Sequence, residues 1–172
     1  MKLTVREMAV FSMLGALMFA SKQIMALAPN IHLLGVFIIA FTVVYRAKAL
    51  YPIYIYVLLE GMFGGFSTWW IPYLYIWTVL WGMTMLLPKR MPKPVQVIVY
   101  AVVNALHGYG YGILYAPAQA FLFGLDFKGM VAWIVAGFPF DFAHGTSNLF
   151  LGLLIMPVIV VLRSLEKNTN MA

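Results

Sequence analysis

Of 172 residues, 64% are apolar and only 9% are charged, with 13 Phe, 10 Tyr and 5 Trp, which is more apolar surface than a 19.4 kDa globule can hide from water. A water-soluble domain is therefore excluded, and the absence of cysteine excludes disulfides, thiolate ligands and thiol nucleophiles. The formal charge of +6 suits nucleic acid by its size alone, but the placement of the basic residues, taken up below, argues against that partner.

The chain reads as an all-α integral membrane protein. It is expected to be a single domain over residues 1–172, a compact bundle of six transmembrane helices, because lipid offers no partner to an unpaired backbone group. The polar head Met1 to Glu7 runs directly into the first span, Glu7 to Ala28, which is too long for a signal-peptide core and has no small-residue cleavage site after it. Within it Ser12, Ala16 and Ala20 form a small-residue face, with Gly15 beside it, on which another helix can approach closely. Lys22 lies about 24 Å beyond Arg6 along this span. The breaker "APN" at 28–30 precedes the second span, Ile31 to Tyr45, and "YRAKALYP" at 45–52 leads into the third, Leu50 to Gly65. Both are short for a bilayer, so the protein is expected to be thin or tilted there. Glu60 lies about 18 Å beyond Lys48, close enough in depth for Lys22 to reach it. A structural Lys22–Glu60 pair, a Lys22 that binds a substrate carboxylate, and a Lys22 that snorkels to the interface all stay open.

After "GGFSTWWIP" at 64–72 comes the fourth span, Trp70 to Leu87. Trp69, Tyr73, Trp77 and Trp81 recur every fourth residue, a stripe about 18 Å long. Trp70 and Trp69 suit an interfacial belt and Trp81 suits packing, but Tyr73 and Trp77 lie deeper, where a belt does not explain them. Such a wall serves either helix packing or stacking on a flat heterocycle. "PKRMPKP" at 88–94 opens the fifth span, Pro94 to Tyr115, in which Asn104, His107 and Tyr111 follow i, i+3, i+7 spacing and share one face. Residues 116–139 are apolar but interrupted by Pro117, Gly124, "DFKG" and Gly137, and are expected to form an outer-face segment, re-entrant or interfacial, covered by protein. The sixth span, Phe140 to Leu162, opens within "PFDFAHGTSN", where Asp141, His144 and Asn148 repeat the i, i+3, i+7 spacing in the opposite direction.

With six spans, Lys2, Arg6, Arg46, Lys48, Lys89, Arg90, Lys93, Arg163 and Lys167 fall on one side, nine of the eleven basic residues. The positive-inside rule then makes both termini cytoplasmic, so the charge reports topology and no nucleic acid is expected. An ionised Asp at the bilayer centre costs about 2.5–3.5 kcal/mol on insertion scales, so the polar faces of spans five and six are expected to meet inside the bundle. Plain interhelical hydrogen bonding, worth ~0.6–2 kcal/mol, is the alternative use of these groups.

Six spans in so short a chain, cytoplasmic termini, the run Ala16-Leu17-Met18-Phe19-Ala20 and "PFDFAHGTSN" at the sixth span resemble the substrate-binding S component of energy-coupling factor (ECF) vitamin transporters. The resemblance covers essentially the whole chain. It implies a multi-pass protein of the bacterial plasma membrane that captures a vitamin or related micronutrient from outside. It further implies docking through span one on a transmembrane T subunit driven by two cytoplasmic ATPases. The implied substrate site comprises Asn30 and His32 in the loop after span one, Trp69, Tyr73 and Trp77, Asn104, His107 and Tyr111, and Asp141, His144 and Asn148, with Lys22 nearby. The long apolar segment between spans five and six departs from the pattern, so no particular vitamin carries over.

No glycine-rich phosphate loop occurs, so ATP hydrolysis must lie in a partner, and neither a catalytic residue, a metal nor a cofactor is expected in the chain itself. A preformed dry pocket of aromatic faces and neutral hydrogen-bonding groups would bind tightly. "APNIHLL" is the expected lid. Two alternatives stand: an intramembrane metal-dependent enzyme using His107, His144 and Asp141 as ligands with Glu60 as base, and an assembly subunit that binds no small molecule.

Overall fold

The computed structural model describes residues 3–28 and 30–169. Lys2, assigned above to the basic side, and Pro29 of the "APN" breaker lie outside these residues. The described residues are helical nearly throughout and contain no strand.

Helix α1 (Val5–Ile24) starts at a capping box: the Glu7 amide donates to the Thr4 hydroxyl at 3.1 Å, and the Thr4 amide donates to the Glu7 carboxylate at 3.0 Å. It ends in a 3-10 turn, Met25–Leu27. Helix α2 (Leu34–Tyr45) is buried on every side from Leu34 to Thr42, as a helix that is apolar all round must be if it fills the centre of a bundle. It packs against α4 (Tyr73–Met85) and α8 (Ile155–Thr169). Between α2 and α3 (Leu50–Gly64) the chain turns through Arg46–Ala49, with Arg46 at φ 54°, ψ −122°. Helix α3 then returns parallel to α1: Lys48 at its start pairs with Glu7, and Glu60 near its end pairs with Lys22.

Gly15 brings α1 and α3 together, since a Cβ there would stand 2.6 Å from Ile55 Cγ2 and 3.0 Å from the Pro52 carbonyl. Its neighbours in the small-residue stripe behave differently. Ser12, Ala16 and Ala20 are all exposed and turned away from the bundle.

Helices α5 (Lys93–Tyr109) and α6 (Tyr111–Phe123) form one continuous run broken only at Gly110, and α7 (Phe127–Leu151) packs back along both. Residues 116–139, expected as an outer-face segment, form the end of this helical hairpin. Its turn is made by Gly124 in the left-handed region at φ 65° and by Asp126, whose carboxylate accepts from the Gly129 amide at 2.7 Å. Pro117 and Pro139 sit inside helices, because a proline removes one backbone bond without forbidding the rest when neighbouring helices hold the chain. The last expected span accordingly begins at Phe127 and is interrupted by a 3-10 turn, Gly152–Leu154, where Gly152 lies against Ala101 of α5.

Six separate helices were expected; the described residues form five helical runs, because the second and third spans join through the 3-10 turn Arg46–Ala49 with no loop between them. Four of the runs, Val5–Leu27, Leu34–Gly64, Lys93–Phe123 and Phe127–Lys167, are long and apolar enough to cross a membrane. The chain is thus an all-helical protein suited to a lipid bilayer. At one end of the bundle Arg46, Lys89 and Arg163 gather around one cavity and Lys93, Arg163 and Lys167 around another, which brings five of the basic residues together.

Candidate functional site

At the opposite end, α4, α5, α7 and the segment before α2 bring a chain of rings together. Trp77 is its hub, completely buried on α4. It contacts Tyr73 one turn earlier at 5.5 Å between ring centroids, Tyr56 of α3 at 6.1 Å, His107 of α5 at 5.8 Å, Tyr111 at 5.9 Å and His32 at 6.1 Å. His144 of α7 closes the cluster, 4.8 Å from His32 and 5.1 Å from Tyr111. The i, i+4 spacing of Tyr73 with Trp77 on α4, and of His107 with Tyr111 across the Gly110 junction of α5 and α6, sets the two rings of each pair edge to face.

The polar atoms of these rings are the unusual part. His32 Nδ1, Tyr56 Oη, Trp77 Nε1, His107 Nδ1 and His144 Nε2 are all buried with no hydrogen-bond partner. Native interiors leave few such groups, and here five converge on touching rings. His107 Nε2 lies 3.1 Å from the Ile76 carbonyl, which can only accept, so Nε2 carries the proton and Nδ1 presents a lone pair to the cluster. The set therefore offers an indole donor, at least one imidazole acceptor and a phenol that can do either.

The charged residues beside it are already engaged. Lys22 pairs with Glu60, which also accepts from the Gln23 amide at 3.2 Å, and the Lys22 ammonium lies 5.4 Å from the Tyr73 ring centroid. The first of the three sequence readings of Lys22 is the one the structure shows. Asp141 accepts from the Gly112 amide at 3.0 Å, an approach that glycine permits, since a Cβ there would stand 2.2 Å from the carboxylate oxygen.

Asn104 and Asn148 lie deeper and serve the contact between α5 and α7. The Asn104 side chain donates to the Asn148 carbonyl at 2.9 Å and the Asn148 side chain donates to the Asn104 carbonyl at 3.2 Å, a reciprocal tie between two helix backbones. Asn104 Oδ1 points at Gly35, where an added Cβ would stand 1.9 Å away. Around the tie, Gly108 and Gly145 let the backbones meet. Trp69 sits at the other edge of the cluster, 5.5 Å from Tyr73, with its carbonyl accepting from the Tyr115 hydroxyl at 2.8 Å. The Asn30 carbonyl accepts from Ser147 at 3.0 Å, which fastens the segment before α2 to α7 beside His144.

Next to His32, an open pocket of about 280 Å³ is lined by Lys22, Gln23, Asn30 and His32 among others. His32 separates this pocket from the ring cluster. The rings touch one another, so a ligand in their midst needs His32 to part from His144 and Trp77.

The metal-ligand set considered above is not assembled: among the described residues no three His, Cys, Asp or Glu side chains are placed to hold a metal ion. Glu60, its supposed base, is tied to Lys22 and Gln23. Sequence reasoning missed Tyr56, Gln23 and Ser147. Tyr56 had a signal in its position four residues before Glu60 on the same face of α3, and Ser147 in its place three residues after His144. Compared with known protein families, curated proteins and solved structures, the chain matches none of them.

Proposed function

We propose that this protein is the substrate-capture subunit of an ECF-type transporter, binding an uncharged, flat heterocyclic micronutrient of the vitamin class. The observation that carries this is the convergence of five partnerless buried polar atoms on a ring cluster headed by Trp77. Aromatic faces stack on a heterocycle and the free donors and acceptors fix its edge. The proposal of an uncharged ligand rests on the Lys22–Glu60 pair, which leaves no free cation beside the rings for an anionic one.

On this proposal the five helical runs cross the membrane six times, reversing at Arg46, with the basic end in the bacterial cytoplasm and the His32 end outside. The segment containing Asn30 and His32 covers the site from the outer pocket. The exposed Ser12, Ala16 and Ala20 stripe is the docking face for a transmembrane T subunit, which two ATPases drive.

The test is to denature the purified protein, identify small molecules released into the extract, and titrate the emptied protein with them by calorimetry. A neutral heterocycle that binds saturably is expected, with Trp77→Phe weakening it by about 0.5–1.5 kcal/mol. No released molecule, together with no saturable binding across neutral vitamin-class heterocycles, would sink the proposal.

A further inference from the structure

At the basic end the turn at Arg46, the connection from α4 to α5, and α8 enclose a second cavity of about 150 Å³. Arg46, Lys89 and Arg163 line it together with Thr84, Gln96 and Tyr100, and no carboxylate is among its lining residues. Glu166, three residues beyond Arg163 on α8, interacts with Arg163 electrostatically but does not line the cavity. Glu7, at the same end, is engaged by Lys48.

Arg46 is held in place from both of its ends. Its carbonyl accepts from Trp81 Nε1 at 3.1 Å, and its guanidinium donates to the Met85 carbonyl at 3.2 Å. Its backbone, at φ 54° and ψ −122°, is in a region that non-glycine residues seldom occupy. A turn that needed only to reverse the chain would be easier with glycine. Here a strained arginine occupies the turn, and its charge is fixed beside two others in a recess with no carboxylate in its lining, Glu166 being the acidic neighbour of Arg163 outside it.

We propose that this cavity binds a phosphate-type oxyanion, with Arg46 and Arg163 as guanidinium donors and Lys89 as a point charge. Guanidinium forks match the tetrahedral oxygens, and basic recesses between membrane helices on the cytoplasmic side suit phosphorylated headgroups. The phosphate can belong to an anionic phospholipid or be free in solution. The proposal is independent of the ring cluster at the other end.

The protein and a Lys89→Gln, Arg163→Gln double variant, which spares Arg46 and its contacts, would be compared in detergent. Native mass spectrometry would measure retention of phosphatidylglycerol against phosphatidylcholine, and calorimetry would measure inorganic phosphate. The wild type is expected to retain phosphatidylglycerol preferentially or to bind phosphate, and the variant to do so roughly tenfold more weakly. Retention of the lipid with no response to phosphate identifies a headgroup, whereas saturable phosphate binding without lipid identifies the free anion. If the variant does not fold, displacement of phosphatidylglycerol from the wild type by an excess of a soluble headgroup phosphodiester gives the same information. Failure of the wild type to take either phosphate species, including the case where it binds only an acidic peptide, would overturn the proposal, as would equal binding by a folded variant.

Discussion

Replacing Lys22 by Met separates the two uses that a membrane lysine beside an aromatic site can have. In the structure its ammonium pairs with Glu60, whose side chain is 4% exposed, while the Lys22 side chain is 26% exposed. Removing one partner of a fully buried pair costs about 3–5 kcal/mol, because the other charge is left without compensation. Partial solvation on the lysine side and the remaining bond from Gln23 to Glu60 lower this to about 2–3 kcal/mol. For a chain of this size that is a fall in melting temperature of about 4–12 °C. Adding Glu60→Gln to Lys22→Met removes the stranded carboxylate and should restore most of the loss, while ligand affinity stays near that of the wild type throughout. Thermal melts of the three variants in detergent, with calorimetry on each, measure both quantities. A Lys22→Met protein that melts like the wild type but no longer binds its ligand would refute the structural pairing and make Lys22 a ligand group.

Gly108→Ala places a Cβ 2.8 Å from Gly145 Cα and 2.8 Å from Asn148 Nδ2, so α5 and α7 must part at their closest approach. A destabilisation of about 1–3 kcal/mol is expected in thermal melts, and an unchanged melting temperature would show that the two backbones do not meet there. Ala16→Trp with Ala20→Trp crowds an exposed face and should leave ligand affinity in detergent intact while uptake by whole cells falls to background. Uptake at the wild-type rate would place docking elsewhere, and lost affinity in detergent would show that the face packs within the chain.

The sequence made legible whatever depends on composition and helical spacing. Membrane class, the basic end and the meeting of the α5 and α7 faces follow from apolar runs, charge placement and i, i+3, i+7 repeats. Depth alone put Lys22 within reach of Glu60 but left pairing, substrate binding and snorkelling open; the structure has the two paired. What spacing cannot supply is which atom of a polar residue is used, and for what. Asn104 and Asn148 share a face with His107 and His144; their side-chain NH2 groups donate to each other's backbone carbonyls, where glycines bring the backbones within reach, while their Oδ1 atoms are buried without a partner. The helical content of residues 116–139 was not legible because Pro117 and Gly137 count as breakers in an isolated helix, whereas here the hairpin partner holds the chain helical around them. Arg46 joined two spans that a loop was expected to separate, and no propensity scale anticipates an arginine at positive φ.

The neutrality of the ring cluster bears on how a captured ligand would be moved. A charged solute crossing the bilayer exchanges about 2.3 kcal/mol per elementary charge per 100 mV with the membrane potential, but an uncharged one exchanges none. The potential therefore cannot drive accumulation of the ligand proposed here. Of the two carboxylates near the cluster, Glu60 is held by Lys22 and Gln23, while Asp141 accepts one bond from the Gly112 amide. Buried donors and acceptors that a bound heterocycle satisfies would each cost about 1–3 kcal/mol if its removal left them unpaired, so release from a closed site is steeply uphill. On the function proposed above, both the gradient and the release draw on work delivered by the ATPase-driven partner. An exposed small-residue face on α1, joined to α3 by Gly15 and by the Lys22–Glu60 pair beneath Tyr73, is a mechanical route by which a docked partner could pull the cluster apart.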